Sequence, residues 1–188
     1  ALFGTFGMIT TGLVSIGIHK ATYKFYFDLE NDQEELVTMV STNLIYLIFI
    51  FFTTGIIVYF NSTWFSVHLF DNKINNNLIN LSYLSGCLAC FINFITSLIT
   101  AQTRSKEYAF VTIFRAIINN LLAFYIIIIY SLTFMAKIYA LIITQIIILV
   151  ITLFFIRDLL GFKFSFFKFK RSLIFSYPNV PRSIIGLI

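Results

Sequence analysis

The chain has 188 residues, 59% of them hydrophobic and only 11% charged, with a formal net charge of +5. A water-soluble fold of this size needs more polar surface than that composition supplies, so a soluble domain is excluded. In a soluble protein the basic excess would point to nucleic acid. Here the basic residues flank apolar runs, so membrane lipid, and not nucleic acid, is the expected partner.

In chain order the apolar runs cover residues 1–18, 36–60, 78–100, 108–130 and 134–156, with an unfinished run at 173–188. The complete runs lie near the ~20 residues that a helix needs to cross ~30 Å of hydrocarbon. The predicted fold class is therefore all-α, a polytopic transmembrane helix bundle. Lys20 and Lys24 follow the first run, Arg104 and Lys106 the third, and Arg157, Lys163, Lys168, Lys170 and Arg171 the fifth. The intervening loops hold only Lys73 and Lys137. Loops rich in Lys and Arg stay in the cytoplasm, which predicts that residues 19–35, 101–107 and 157–172 are internal. Residues 61–77, polar and Asn-rich, read as an external loop. Asp28, Glu30, Asp32, Glu34 and Glu35 weigh little in orientation, and Asp32-Gln33-Glu34-Glu35 makes a negatively charged helix start. Residues 158–170 interleave Phe with Lys, which suits either an element lying on the inner leaflet or an ordinary basic loop.

The chain opens inside an apolar run without an initiator Met or a basic leader, and closes inside another. It reads as an internal piece of a longer, transporter-sized protein.

Catalytic signatures are missing. There is no phosphate-cradling Gly loop, no zinc spacing, and no Ser or Cys nucleophile near a His; no metal and no cofactor is expected. Cys87-Leu88-Ala89-Cys90 matches C-x-x-C but sits mid-run without a second pair, so packing is the simpler role. His19 ends the first run and His68 lies in the external loop, both read as solvated or interfacial. Asn61-Ser62-Thr63 and Asn80-Leu81-Ser82 fit the glycosylation sequon, which an Asn-rich chain meets by chance. Every carboxylate lies in a loop or at a run's end.

Two polar stripes remain. Ser82, Gly86, Ala89, Asn93, Thr96 and Thr100 follow helical spacing and share one face. Small residues there allow close helix approach, while Asn93 near the middle is the member best placed to meet water or ligand. On the next run Tyr108, Thr112, Arg115 and Asn119 form a second stripe. Counted from Arg104, Arg115 lies about 15 Å deep at ~1.5 Å per residue, where a cation needs a polar cavity or partner. Counted from Tyr108 it lies about 10 Å deep and could snorkel to the inner headgroups.

Residues 12–18 (Gly-Leu-Val-Ser-Ile-Gly-Ile) followed by residues 21–28 (Ala-Thr-Tyr-Lys-Phe-Tyr-Phe-Asp) resemble the end of the second helix of Wzx-type polysaccharide flippases. In that family a "slGl" motif precedes an "RYYxD"-like segment. Residues 103–108 resemble the family's short basic loop before the fifth helix. Residues 173–181 (Leu-Ile-Phe-Ser-Tyr-Pro-Asn-Val-Pro) are similar to the "l.FSlPlip" opening of its seventh. Lys24 stands where the family usually has Arg, keeping the charge without the bidentate geometry. The resemblance covers nearly the whole chain, in order and orientation. It implies most of one six-helix lobe at residues 1–172, lacking the first helix, and the start of the seventh helix at 173–188.

The resemblance also implies membership of the multidrug/oligosaccharidyl-lipid/polysaccharide exporter superfamily. The expected activity is then transport: flipping a lipid-linked (polyprenyl-pyrophosphate) oligosaccharide across the inner membrane by alternating access, with a coupling ion allowed but not identified. A transporter and not an enzyme is expected. Arg115 would attract the anionic head, Asn119 and Asn93 would meet sugar hydroxyls, and Lys20, Lys24 and Arg182 would sit at the cytoplasmic mouth. Pro178 and Pro181 would bend the start of the last helix and serve as a hinge. The alternatives are a multidrug-type cation antiporter of the same superfamily, which would want membrane-embedded acids, and a membrane enzyme acting on lipid-linked sugars. A non-catalytic subunit of a respiratory complex is a third.

Overall fold

The computed structural model describes residues 2–70, 75–130 and 133–178, and among them the chain forms helices and no strand. The helices are α1 (Leu2–Ser15), α2 (Ile18–Asp28), α3 (Gln33–Phe60), α4 (Ser62–Phe70), α5 (Asn76–Ala101), α6 (Ser105–Tyr130), α7 (Thr133–Phe155) and α8 (Phe166–Ser176), with a 3-10 turn at Arg157–Leu159. This is an all-α bundle. Four helices are long and apolar enough to cross a membrane, by length and composition: Gln33–Phe60, Asn76–Ala101, Ser105–Ile129 and Met135–Phe155. Their outward faces carry Phe52, Ile56, Leu121, Phe124, Ile128 and Phe154, each more than half exposed, a surface that water would penalise.

Local chemistry sets the helix ends. Asp32 Oδ1 accepts a hydrogen bond from Glu35 N at 3.0 Å, and Glu34 and Glu35 in the first turn complement the α3 dipole. Asn75 caps α5 and Ser165 caps α8 through their side-chain oxygens. The first apolar run does not form one helix through residue 18. It breaks at Ile16 (φ 43°) and Gly17 (φ 74°), and Ser15 Oγ accepts from Gly17 N at 3.4 Å. A left-handed β-branched residue costs on the order of 1–2 kcal/mol, so surrounding contacts must hold the break.

Helix α5 is the centre: α1, α2, α3, α4, α6 and α7 all pack on it. Phe94, Ile95, Leu98 and Ile99 are fully buried there. Small residues bring α1 and α5 close. A Cβ on Gly86 would stand 2.5 Å from the Gly7 carbonyl oxygen, Thr11 Oγ1 donates to Gly86 O at 2.9 Å, and Ser82 Oγ donates to Phe3 O. The outer half of the first polar stripe is thus a packing seam. Across α5, Tyr83 Oη donates to Phe51 O at 2.6 Å and lies 2.6 Å from Thr54 Oγ1, tying α3 to the core. Helix α6 packs chiefly on α7 and touches α5 sparingly.

The segments predicted to be internal gather at one end. Arg104 Nη1 donates to Phe155 O at 2.9 Å, Ser97 Oγ donates to His19 O at 3.2 Å, and Lys163, Lys168 and Arg171 pair with Glu34, Glu35 and Asp28. Two expectations need correction. Residues 61–77 are not a plain polar loop: α4 lies within them, with Ser62 and Ser66 buried and Phe65 edge-on to Phe6 at 5.8 Å between centroids. Leu173 does not start a helix: it lies inside α8, which opens at Phe166, where Ser165 supplies the cap, and gives way to a turn at Tyr177 and Pro178. Residues 179–188, which include Pro181 and Arg182, lie outside the described residues.

Candidate functional site

Where α6 leans away from α5, a cleft of about 320 Å³ remains. Met8, Thr11, Gly12 and Ser15 of α1 line it, with His19 of α2, Ala89 and Asn93 of α5, and Arg115 of α6. The other large hollows, such as the one between Leu44, Phe52, Leu88 and Leu149, are apolar grooves. This cleft alone among them combines a cation with hydroxyls, an amide and an imidazole.

Helical rise gives its depth. Arg115 stands about 15 Å from the start of α6 at Ser105, and Asn93 about 12 Å from the end of α5 at Ala101, at ~1.5 Å per residue. His19 lies at the level of Ser97, nearer the basic end. The cleft therefore runs from that end toward mid-bundle, past Arg115 to the level of Ala89.

Arg115 is half-buried and has no hydrogen-bond or ion-pair partner among the described residues, and no acidic residue lines the cleft. His19 Nδ1 is buried without a partner, and burial, reinforced by the neighbouring Lys20 ammonium, holds the imidazole below its ordinary pKa. It is neutral at pH 7, with one nitrogen to donate and one to accept. Thr11 Oγ1 donates to the Gly7 and Gly86 carbonyls, and its lone pairs remain able to accept. The constellation offers a cation, an amide and hydroxyls along one cleft. That chemistry suits an anion carrying hydroxyl groups.

Of the residues singled out from the sequence, Arg115 and Asn93 are brought together on this cleft. Asn119, one turn further along α6, is not on its lining; its Oδ1 is buried without a partner. Lys20 is exposed beside His19. Lys24 is directed to α8, its ammonium 4.6 Å from the Phe175 ring centroid. Pro178 is exposed in the turn after α8. His19, Thr11 and Ser15 were not selected, although their spacing of four residues could have marked them as a third stripe. Cys87 and Cys90 are buried free thiols in the core, and no group of His, Cys, Asp or Glu suited to a metal occurs among the described residues. No family model, no curated protein and no solved structure matches the chain.

Proposed function

We propose that this chain is part of a membrane transporter of the Wzx flippase type, carrying a lipid-linked oligosaccharide across the inner membrane by alternating access. One observation carries the reading: Arg115, about halfway along a spanning helix, faces a polar cleft and has no partner among the described residues. A cation near the centre of a span costs about 2.5–3.5 kcal/mol or more and is retained where it meets an anion. A phosphate-bearing head would supply that anion. Arg115 would draw it in from the basic end, and Asn93, Thr11 and Ser15 would exchange hydrogen bonds with sugar hydroxyls in place of water. A head group of this kind cannot cross hydrocarbon unaided, and a cleft that shelters charge and hydroxyls lowers that barrier. Helix α6 packs lightly on α5 and is held chiefly by α7, so a shift of α6 against α5 would widen the slot.

The test is restoration of surface polysaccharide by full-length protein in a strain lacking its flippase, with membrane abundance checked. Arg115→Lys is expected to keep partial function, Arg115→Ala or Arg115→Gln to lose most of it, and Arg115→Glu to abolish it. Asn119→Leu, off the cleft lining, is expected to impair transport less than Asn93→Leu. Full activity of Arg115→Ala at normal abundance would refute the assignment.

A further inference from the structure

Helix α8 crosses α3 instead of running along it. Lys168 of α8 pairs with Glu35 at 3.1 Å, while the next residue, Phe169, packs on Tyr46 at 5.0 Å between ring centroids. Glu35 and Tyr46 are about 16 Å apart along α3 at ~1.5 Å per residue, so adjacent α8 side chains reach opposite ways along that helix. Ser165 N, donating to Thr42 Oγ1 at 3.0 Å, anchors the chain just ahead of α8 between those two points. The 28 residues of α3 span about 42 Å, more than the ~30 Å of hydrocarbon, so its charged first turns stand outside the apolar slab. Helix α8 thus lies in the plane where α3 enters hydrocarbon, with Lys168 directed toward water and Phe169 toward the acyl chains.

Below this crossing is a groove of about 410 Å³, walled by Ile45, Tyr46 and Phe49 of α3 and by Phe164, Phe166 and Phe169. Its size falls within the ~300–1,000 Å³ of small-molecule sites. Beside it Lys163 and Lys168 are neutralised by Glu34 and Glu35, and Arg171 of the same segment pairs with Asp28 of α2. Lys170 is exposed and has no partner among the described residues. It follows Phe166 by one helical turn, so it shares the groove's face. An apolar slot with one unpaired ammonium at its edge is complementary to a tail bearing a negative head.

We propose that this groove is a resident lipid site, in which one acyl chain of an anionic glycerophospholipid lies against residues 164–169 and α3 with its phosphate at Lys170. The site is separate from the Arg115 cleft, which α1, α2, α5 and α6 enclose, and it stands whether or not the chain is a transporter.

The chain's one Trp, Trp64, lies in α4 at the far end, so a reporter can be moved to the groove. Full-length Trp64→Phe/Phe166→Trp protein would be placed in bilayers of phosphatidylglycerol and phosphatidylcholine, with bromine on the acyl chains of one lipid or the other. Brominated phosphatidylglycerol is expected to quench as though enriched about fivefold over random mixing, the preference one Lys confers at an anionic surface. Adding Lys170→Glu should return quenching to the random value for both lipids. Phe164→Trp provides the reporter if Phe166→Trp does not fold. Equal quenching by the two lipids, or none by either, would overturn the proposal. So would loss of the phosphatidylglycerol excess on adding a polyprenyl phosphate, which would assign the groove to an isoprenoid tail.

Discussion

Single residues decide how closely the helices approach. Gly86 sits where any side chain meets backbone: a Cβ would be 2.5 Å from Gly7 O and 3.0 Å from Thr10 Cβ. Neither neighbour is a flexible side-chain end, so Gly86→Ala must part α1 from α5, at a cost of roughly 1–3 kcal/mol. Gly4 is also helical, yet nothing lies within 4 Å of the Cβ it would gain. Gly4→Ala should therefore stabilise by up to about 1 kcal/mol through helix propensity alone. Unfolding midpoints of the two variants in one detergent should move in opposite directions. A Gly86→Ala protein as stable as the parent would mean that the α1–α5 seam is not as drawn. The same seam ends where the cleft begins, so parting it would also displace Thr11 relative to Asn93 and Arg115.

At the scale of elements, charge docks α8. Lys168 keeps only 14% of its side chain exposed, and its ammonium reaches both the Glu35 carboxylate and the Glu35 carbonyl oxygen. Lys168→Glu should loosen α8 and speed limited proteolysis beside the exposed Phe162 about fivefold, corresponding to roughly 1 kcal/mol for one partly exposed pair. Adding Glu35→Lys should recover only part of this, since the carbonyl contact stays lost; no recovery at all would show that packing, not charge, seats the helix. What the sequence revealed about these elements follows physical lines. The long runs were legible because hydrocarbon demands length and apolarity together. The stripes carrying Asn93 and Arg115 were legible from the helical period. The break at Ile16–Gly17 was not, because a β-branched residue is the last expected in the left-handed region. Helix α4 was masked by its Asn-rich flanks, and the start of α8 by a Phe–Lys alternation that mimics period two.

At the scale of the whole molecule, tertiary contacts show which segments share an end, and charge counting then sets which way that end faces. Sequence reasoning used only the positions of Lys and Arg along the chain. The ion pairs of α2 and α3 with the segment from Lys163 to Arg171, together with the Arg104–Phe155 bond, bring those segments to one end without reference to any membrane. Glu34 and Glu35 of α3 with Asp28 of α2 neutralise much of the basic segment from Lys163 to Arg171, which leaves Lys20, Lys106 and Lys170 as exposed cations there without hydrogen-bond, ion-pair or ring partners among the described residues. The end bearing α4 offers His68, stacked on Trp64 at 4.8 Å between centroids, and a single Lys or Arg among the described residues, Lys137 in the first turn of α7. The basic end is thus expected to face the cytoplasm. Thr63 and Asn75 are exposed at the α4 end and Ser105 at the basic end, whereas Cys87 and Cys90 keep 0% and 2% exposure and should stay silent to thiol reagents. In intact cells a membrane-impermeant maleimide should label Thr63→Cys and Asn75→Cys, and Ser105→Cys only after permeabilisation. The opposite pattern would invert the bundle and turn the mouth of the Arg115 cleft outward. A ligand made inside the cell would then have no way in from the basic end, and the transport reading would fall with the orientation.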